Sequence, residues 1–353
     1  MYQHQEARRG IWTQYRAYII LAILVTSIIA LLPSSSSGRF SNRPWRSSSP
    51  REAAANSTLG KILALSTGPS WRTRGLNTAA KLVGLEFAYP PQPRNPLELI
   101  EAFSGMGKDQ GKTTPAHGSA TAWLAHVDLL KHVIASDLET ALIVEDDVDF
   151  DVHLKDQIRL VSDNVRAYTN VSETDGTPYG TNWDILWLGH CGTAVEKDTP
   201  GPRYLDTTRC KTDLYSGWSK HFLRDNLEED HRIVQWAGFM TVRTFGFGVN
   251  RQSAQKVLDI AARGGDEAYD VAFSHACASG ALRCLVVNPQ IMNHYEPSKD
   301  AGYLSPVHVG DGQGEAADDS RFEKIMGTTG NIMQSSRCKS LFDDVCMRPP
   351  SEI

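Results

Sequence analysis

The stretch ALIVEDDVDFD, residues 141–151, decides how this chain can fold. Its first four residues are apolar and predict a short buried β-strand. Five carboxylates follow within seven positions: Glu145, Asp146, Asp147, Asp149 and Asp151. In sheets whose strands alternate with helices, ligands bind beyond the carboxyl ends of the strands. The acidic run therefore predicts a functional site at that edge, while a solvated acidic turn explains the same pattern equally well.

On either side of this stretch, strand and helix patterns alternate. Apolar runs predict strands over residues 59–66, 85–88, 183–188, 241–249 and 282–287. Apolar spacing and cap residues predict helices over residues 73–83, 119–135 and 268–278, and a further helix after Asn250, which is a candidate N-cap. We therefore expect an α/β fold with a mostly parallel central sheet that is covered on both faces.

The amino-terminal segment predicts a membrane anchor. Residues 17–32 form an uncharged apolar run of sixteen positions, and Arg8, Arg9 and Arg16 precede it. By the positive-inside rule, residues 1–16 would form a cytoplasmic tail and the rest of the chain would be lumenal. Residues 33–58 are rich in Ser, Arg and Pro and predict a flexible stem. The alternative is a signal peptide that is cleaved near residues 34–37.

Composition argues against a protein that wraps nucleic acid, and the positions of the cysteines and sequons agree with an oxidising lumen. Residues 59–353 carry 29 Lys and Arg against 39 Asp and Glu, whereas a protein that wraps a nucleic-acid backbone needs clustered cations. Two glycosylation sequons, at Asn56 and Asn170, and all six cysteines follow the apolar run. No cysteine spacing is of the zinc-binding type, so we expect disulfides in an oxidising compartment.

The crowded carboxylates after residue 144 need a positive partner. Hard oxygen ligands suit Mg²⁺ or Mn²⁺, and such a cation can hold a substrate diphosphate by bridging its oxygens. An acidic site and an anionic nucleotide would thereby become compatible.

Several segments resemble the family 25 glycosyltransferases, whose fungal members are short type II membrane proteins. The similarity is carried by residues 118–148, which end in the Glu-Asp-Asp motif, by WDILWLG at 183–189 and by FGFGVNRQSAQKVLD at 245–259. It covers about residues 59–295. Ala125 stands where the family usually has Ser before a His, and residues 192–231 form an insert without a counterpart.

This resemblance implies a GT-A fold over residues 59–300, followed by a carboxy-terminal extension, residues 301–353. It also implies inverting transfer of a sugar, most often galactose from UDP-galactose, with Mn²⁺ (or Mg²⁺) as the cofactor. The acceptor would be a glycan or glycoprotein, and the enzyme would be a single-pass protein of the Golgi or endoplasmic reticulum membrane.

The resemblance also assigns candidate roles to particular residues. Asp147 is the first candidate metal ligand, Asp149 the second, and His294 a candidate to complete the shell. Glu145 or Asp146 would contact the nucleotide ribose or order the turn. Arg72 and Arg74, after the first strand, are candidates for binding the diphosphate or uracil, although a solvated pair in the first helical turn is equally plausible. The candidate base is Asp270, with Asp266 or Glu267 as substitutes and a helix-dipole role as the alternative.

Two other functions remain open from the sequence. A lumenal metal-dependent phosphoesterase also uses clustered acids, but it needs several His and Asp ligands, and none of the eleven His lies in an HxH or HExxH pattern. A catalytically silent protein that binds glycans or scaffolds other enzymes is the second, and the replacement at Ala125 is compatible with it. Response to UDP-sugars with and without Mn²⁺ separates these functions.

Overall fold

The computed structural model describes residues 60–108, 111–238, 240–315 and 318–348. The predicted tail, anchor and stem lie outside these residues. In the described part of the chain, no helix has the length and apolar character needed to cross a bilayer.

The strands are β1 Lys61–Leu65, β2 Thr140–Glu145, β3 Val148–Phe150, β4 Ile185–Gly189, β5 Arg203–Leu205, β6 His231–Trp236, β7 Gly246–Asn250, β8 Cys284–Asn288, β9 Met292–Glu296 and β10 Thr328–Thr329. The α-helices are α1 Trp71–Val83, α2 Leu97–Gly105, α3 His117–Ala135, α4 Leu154–Tyr168, α5 Lys220–Asn226, α6 Arg251–Ala261, α7 Tyr269–Ala278, α8 Pro306–Gly310 and α9 Ser336–Phe342.

The main sheet is mixed rather than purely parallel. Its strand order is β1-β2-β7-β4-β8-β6-β5, with β1 parallel to β2 and β4 parallel to β8. Strands β7 and β6 run in the opposite direction to their neighbours, so five of these seven described strands point one way. Strand β9 pairs with the end of β4. Strands β3 and β10 pair with β9 on its two edges.

Helices cover both faces of the sheet, as the sequence predicts. Strand β2 shows why, because its side chains alternate between two cores. Ala141 and Ile143 pack with helices α2, α3, α6 and α7. Leu142 and Val144 pack with α1 and α4 on the other face. Burial of both faces accounts for a strand sequence without polar alternation.

Most of the predicted elements are confirmed, with differences of a few residues at their ends. Asn250 caps α6, and its side chain accepts a hydrogen bond of 3.0 Å from the Ser253 N–H. Two predictions were wrong in extent. The run 241–249 becomes a strand only from Gly246, and the piece 85–88 contributes only a bridge between Ala88 and Leu63.

The carboxy-terminal residues continue the same body. Strand β10 pairs with β9, and helix α9 packs against α1. Disulfides join Cys338 to Cys346 and Cys277 to Cys284, which bears out the expectation of disulfides. Cys191 and Cys210 are free thiols.

Candidate functional site

Glu145, Asp146 and Asp147 form an acidic turn at the carboxyl end of β2. Arg72 of α1 binds two of these carboxylates. Arg72 Nη1 donates hydrogen bonds of 3.1 Å to Asp146 Oδ1 and 2.7 Å to Asp147 Oδ2. Its Nη2 donates to the hydroxyl of Tyr303, and its guanidinium carbon lies 5.4 Å from the ring centroid of Trp71. Arg72 therefore supplies the positive charge that the crowded carboxylates require.

The electrostatics of the turn reflect burial opposed by this ion pair. Burial lowers the pKa of Arg72, but the charges of Asp147, Tyr303 and Asp146 outweigh it, and the net pKa is raised. Burial also raises the pKa of Asp146, against the effect of Arg72. Burial, together with the charge of Asp147, raises the pKa of Glu145 to about 8. The pKa values of Glu145 and Asp146 are thus raised mainly because burial disfavours their charged forms.

A second arginine supports the turn from below. Arg337 on α9 is fully buried, and its Nη2 donates to the carbonyl oxygens of Asp146 at 3.0 Å and Val148 at 3.2 Å. It passes Gly75 of α1 so closely that a Cβ there would lie 2.5 Å from Nη1. Sequence reasoning missed both Arg337 and Tyr303. They lie more than 150 residues from the turn, and no local pattern connects them to it.

One oxygen of the turn has no protein partner. Asp147 Oδ1 is buried and makes no hydrogen bond to the described residues. Enzymes commonly hold Mg²⁺ or Mn²⁺ through one or two carboxylates together with substrate phosphates and water. The donor set at this turn fits that mode of binding. In the part of the chain that the structure describes, no group of three or more His, Cys, Asp or Glu side chains is arranged so that it could hold a metal ion by itself.

Asp149 occupies a different environment from Asp147. It is fully buried, and its Oδ1 accepts hydrogen bonds from the backbone N–H groups of Phe150 and Arg337. Its Oδ2 accepts hydrogen bonds from the hydroxyls of Thr329 and Ser335. Three of these bonds tie β3 to β10 and to the start of α9, and the fourth lies within β3. Both oxygens of the Asp149 carboxylate are thus used by protein donors, and we assign Asp149 a structural role rather than that of a metal ligand.

His294 is close to the acidic turn in the strand ladder but faces another way. It pairs with Val148 between β9 and β3, and its ring lies 4.8 Å from that of Phe245. Its Nε2 is 2.7 Å from Glu296 Oε1, and this hydrogen bond lowers the pKa of Glu296. Successive residues of a strand point to opposite faces, and the next residue, Tyr295, faces Trp71 on the Arg72 side. The contacts of the His294 ring are thus with Phe245, Asn293 and Glu296, and its place in a metal shell stays a prediction.

Asp270 lies on the same edge of the sheet, in the first turn of α7. Its Oδ2 accepts a hydrogen bond of 2.7 Å from the Arg243 N–H. The next residue, Thr244, donates a 3.2 Å hydrogen bond to Glu145 Oε1. The loop before β7 thus connects the end of β2 to Asp270. Cys191, just after β4, is within electrostatic reach: burial raises its pKa, Arg243 lowers it and Asp270 raises it.

The remaining candidate residues lie apart from the turn. Arg74 forms an exposed ion pair with Glu323, with Nε at 2.7 Å from Oε1. Asp266 Oδ1 is 3.0 Å from His275 Nδ1, and Glu267 accepts a hydrogen bond from Thr113. Of the two predicted arginines, only Arg72 contacts the acidic turn.

Comparisons with known proteins add no functional information. Neither a protein-family model nor a curated protein sequence matches the chain. Among solved structures, the chain is similar to the viral protein A197 from STIV, with a TM-score of 0.29 and 10% identity. That match covers 69% of this chain and 85% of the other. A similarity of this degree carries no argument about fold or function.

Proposed function

We propose that this protein is a metal-dependent glycosyltransferase with a GT-A-like domain. It would move a sugar, galactose by the family 25 resemblance, from a UDP-sugar to a hydroxyl of a glycan or glycoprotein. The observation that supports this most is the acidic turn at the end of β2, where Asp147 keeps a buried carboxylate oxygen without a protein partner. The position at the carboxyl ends of the strands is that of ligand sites in open α/β sheets.

The acids of the turn would bind the metal and hold the turn in place. Asp147 would hold Mn²⁺ or Mg²⁺, with Asp146 beside it and Arg72 orienting both carboxylates through its two hydrogen bonds. When bound, the cation supplies countercharge for the departing diphosphate. Glu145 orders the turn through its hydrogen bond from Thr244.

Asp270 would act as the general base. The acceptor oxygen forms a bond to the anomeric carbon while the bond from that carbon to UDP breaks, and the acceptor proton passes to the Asp270 carboxylate. Attack from the side opposite UDP inverts the anomeric centre. The hydrogen bond from the Arg243 N–H fixes the carboxylate for this role.

The disulfides and one glycosylation sequon support a location in the secretory pathway, in addition to the predicted anchor. The two disulfides are of the kind that persists in an oxidising lumen. Asn170, the sequon that lies within the described residues, is exposed. We accordingly propose a type II membrane protein of the Golgi or endoplasmic reticulum with its catalytic domain in the lumen.

The proposal is tested with the purified full-length protein in detergent. Thermal unfolding and release of free UDP are measured against a panel of UDP-sugars, with and without Mn²⁺. Asp147→Asn should abolish both the Mn²⁺-dependent stabilisation and UDP release, while the fold is retained. The matched control is Asp156→Asn, an exposed acid on α4 that pairs with Arg159. Full activity of Asp147→Asn, or the same loss in the control, contradicts the proposal.

A catalytically silent glycan-binding protein is the second candidate, and one observation favours it. Arg72 already supplies Asp146 and Asp147 with the positive charge that a metal would bring. If no UDP-sugar stabilises the protein at any Mn²⁺ concentration, the transferase is excluded and this function becomes the better one.

A further inference from the structure

The insert of residues 192–231 reaches the same edge of the sheet as the acidic turn. Gly192 follows the end of β4 with a φ of 131°, and a Cβ there would lie 2.5 Å from Ser219 Oγ and 3.1 Å from Trp218 Nε1. Gly217 has a φ of 146°, and its Cβ would lie 3.2 Å from the Cys191 carbonyl oxygen. Only glycine tolerates this backbone approach without strain. The two glycines seat Trp218 directly against the end of β4.

The carboxy-terminal extension holds this part of the insert in place. Asn331 Oδ1 accepts a hydrogen bond of 2.7 Å from the Ser216 N–H, and Asn331 Nδ2 donates one of 2.9 Å to the Ser216 carbonyl oxygen. The hydroxyl of Tyr215 donates a 3.0 Å hydrogen bond to Gln290 Oε1. Trp218 is therefore carried by a fixed backbone, although the surrounding residues are not part of a long helix or strand.

Trp218 leads a small aromatic group at this position. Its ring is edge-on to Phe222 at 6.0 Å, and His221 lies 4.0 Å from Phe222. Trp218 is partly exposed, but its indole N–H is buried and has no hydrogen-bond partner among the described residues. An unsatisfied buried donor costs stability that a Phe at the same position would not cost. Packing alone does not explain why tryptophan stands here.

Trp218 lies beyond the carboxyl end of β4, at the same edge of the sheet as the candidate site. Strands β2 and β4 are separated only by β7, so their ends lie about 10 Å apart, or two strand spacings. The acidic turn occupies the end of β2, whereas Trp218 lies against Gly192, just after the end of β4, and the preceding Gly217 lies against the Cys191 carbonyl oxygen. The pKa of the Cys191 thiol is raised by burial, lowered by the charge of Arg243 and raised by that of Asp270, so both groups are close to Cys191. A sugar beside Trp218 would thus lie about two strand spacings from the acidic turn, at the end of β4.

We propose that Trp218 is a carbohydrate-binding residue whose ring stacks on a pyranose of the acceptor glycan. A pyranose presents an apolar face of C–H groups and a rim of hydroxyls, which suits a large aromatic ring that is partly exposed and firmly held. Its assignment to the acceptor rests on the proposed transferase function, whereas its assignment as a glycan-binding residue does not. The insert would accordingly determine acceptor specificity.

The test measures glycan binding without turnover. The full-length protein is applied to an array of defined oligosaccharides, and the glycans that bind are titrated by ligand-observed NMR, together with methyl β-galactoside and methyl α-mannoside. Trp218→Ala should weaken binding at least 10-fold, equivalent to about 1.4 kcal/mol. Mn²⁺-dependent stabilisation by UDP should be unchanged. The matched control is Trp236→Ala, because Trp236 is 42% exposed and packs on Tyr168 at the opposite edge of the sheet.

The outcomes are distinct. Binding of no glycan, unchanged binding by Trp218→Ala, or an equal loss in Trp236→Ala overturns the inference. Trp218→Phe covers the case in which the alanine variant does not fold. It keeps an aromatic ring and removes the unsatisfied donor while packing a smaller surface, so it should stay folded and still bind glycan more weakly; a folded Trp218→Phe variant with unchanged glycan binding shows a merely structural residue. Glycan binding that depends on Trp218 in a protein that ignores UDP-sugars retains the inference and removes the transferase.

Discussion

Replacing Arg72 by Met tests whether the acidic turn needs positive charge, and whether a bound cation can supply the charge that the arginine supplies in the wild type. The variant keeps an unbranched apolar stem to pack on Trp71 and Tyr303 but removes the charge. It leaves Asp146 and Asp147 adjacent and without their cation. The matched control is Arg74→Met, two residues along the same helix, where the ion pair with Glu323 is exposed.

The size of the effect follows from burial. The side chain of Arg72 is 14% exposed, and those of Asp146 and Asp147 are 10% and 9% exposed. Removing one partner of a buried ion pair costs about 3–5 kcal/mol, and this residual exposure favours the lower end, about 3 kcal/mol. A domain of this size loses about 2 °C in unfolding temperature per kcal/mol, so we expect a fall of about 6 °C. The exposed Arg74 pair should cost far less, because water and salt screen an exposed ion pair.

The assay is thermal unfolding of wild type and both variants, with and without millimolar Mn²⁺. Arg72→Met should be destabilised without metal and should regain more stability from Mn²⁺ than wild type does, because the cation replaces the lost charge. Arg74→Met should resemble wild type in both conditions. The reasoning is refuted if both variants fall equally, or if Mn²⁺ raises the unfolding temperature of Arg72→Met no more than that of wild type.

Three further predictions concern stability. In the folded protein the pKa of Glu145 is raised to about 8, whereas in the unfolded chain it is near 4.5. Between these values the folded state binds the proton more tightly, so the free energy of unfolding should fall as pH rises from 5 to 8. Urea titrations at each pH measure this dependence, and Glu145→Gln should flatten it. Asp149→Asn should cost about 3 kcal/mol in urea unfolding, because four donors converge on its carboxylate. Asp147→Asn should cost less, because Asp146 stays as a charged partner of Arg72 and the amide oxygen can still accept the Arg72 hydrogen bond; equal losses would reverse the roles assigned to the two acids. Asn250→Ala should cost at least about 1 kcal/mol by chemical denaturation, since its side chain both caps α6 and donates a 2.6 Å hydrogen bond to the Trp183 carbonyl oxygen, and an unchanged midpoint would contradict both roles.

Local patterns predicted the elements that frame the site. The apolar run before Glu145 became β2, and the cap at Asn250 began α6, because each pattern depends on neighbours in the chain. The direction of β7 was not predictable in the same way. A strand that is buried on both faces reads the same in either direction, so its pairing with β2 and β4 is settled only when the sheet assembles.

Sequence alone also could not separate the acids of the run 145–151. Asp147 and Asp149 have the same chemistry and lie two positions apart. The chain continues for almost two hundred residues before Thr329, Ser335 and Arg337 arrive to satisfy Asp149, while Asp147 is left with one free oxygen. A carboxylate's role depends on its hydrogen-bond partners, and those partners come from distant parts of the chain.

Burial and periodicity are local properties, so the order of residues was enough to predict an acidic turn after a buried strand in an α/β domain. Folding in three dimensions determined which arginine neutralises that turn and which of its acids keeps an unpaired oxygen. Those choices depend on side chains that are far apart in sequence and become neighbours only through packing of the sheet, α1 and α9.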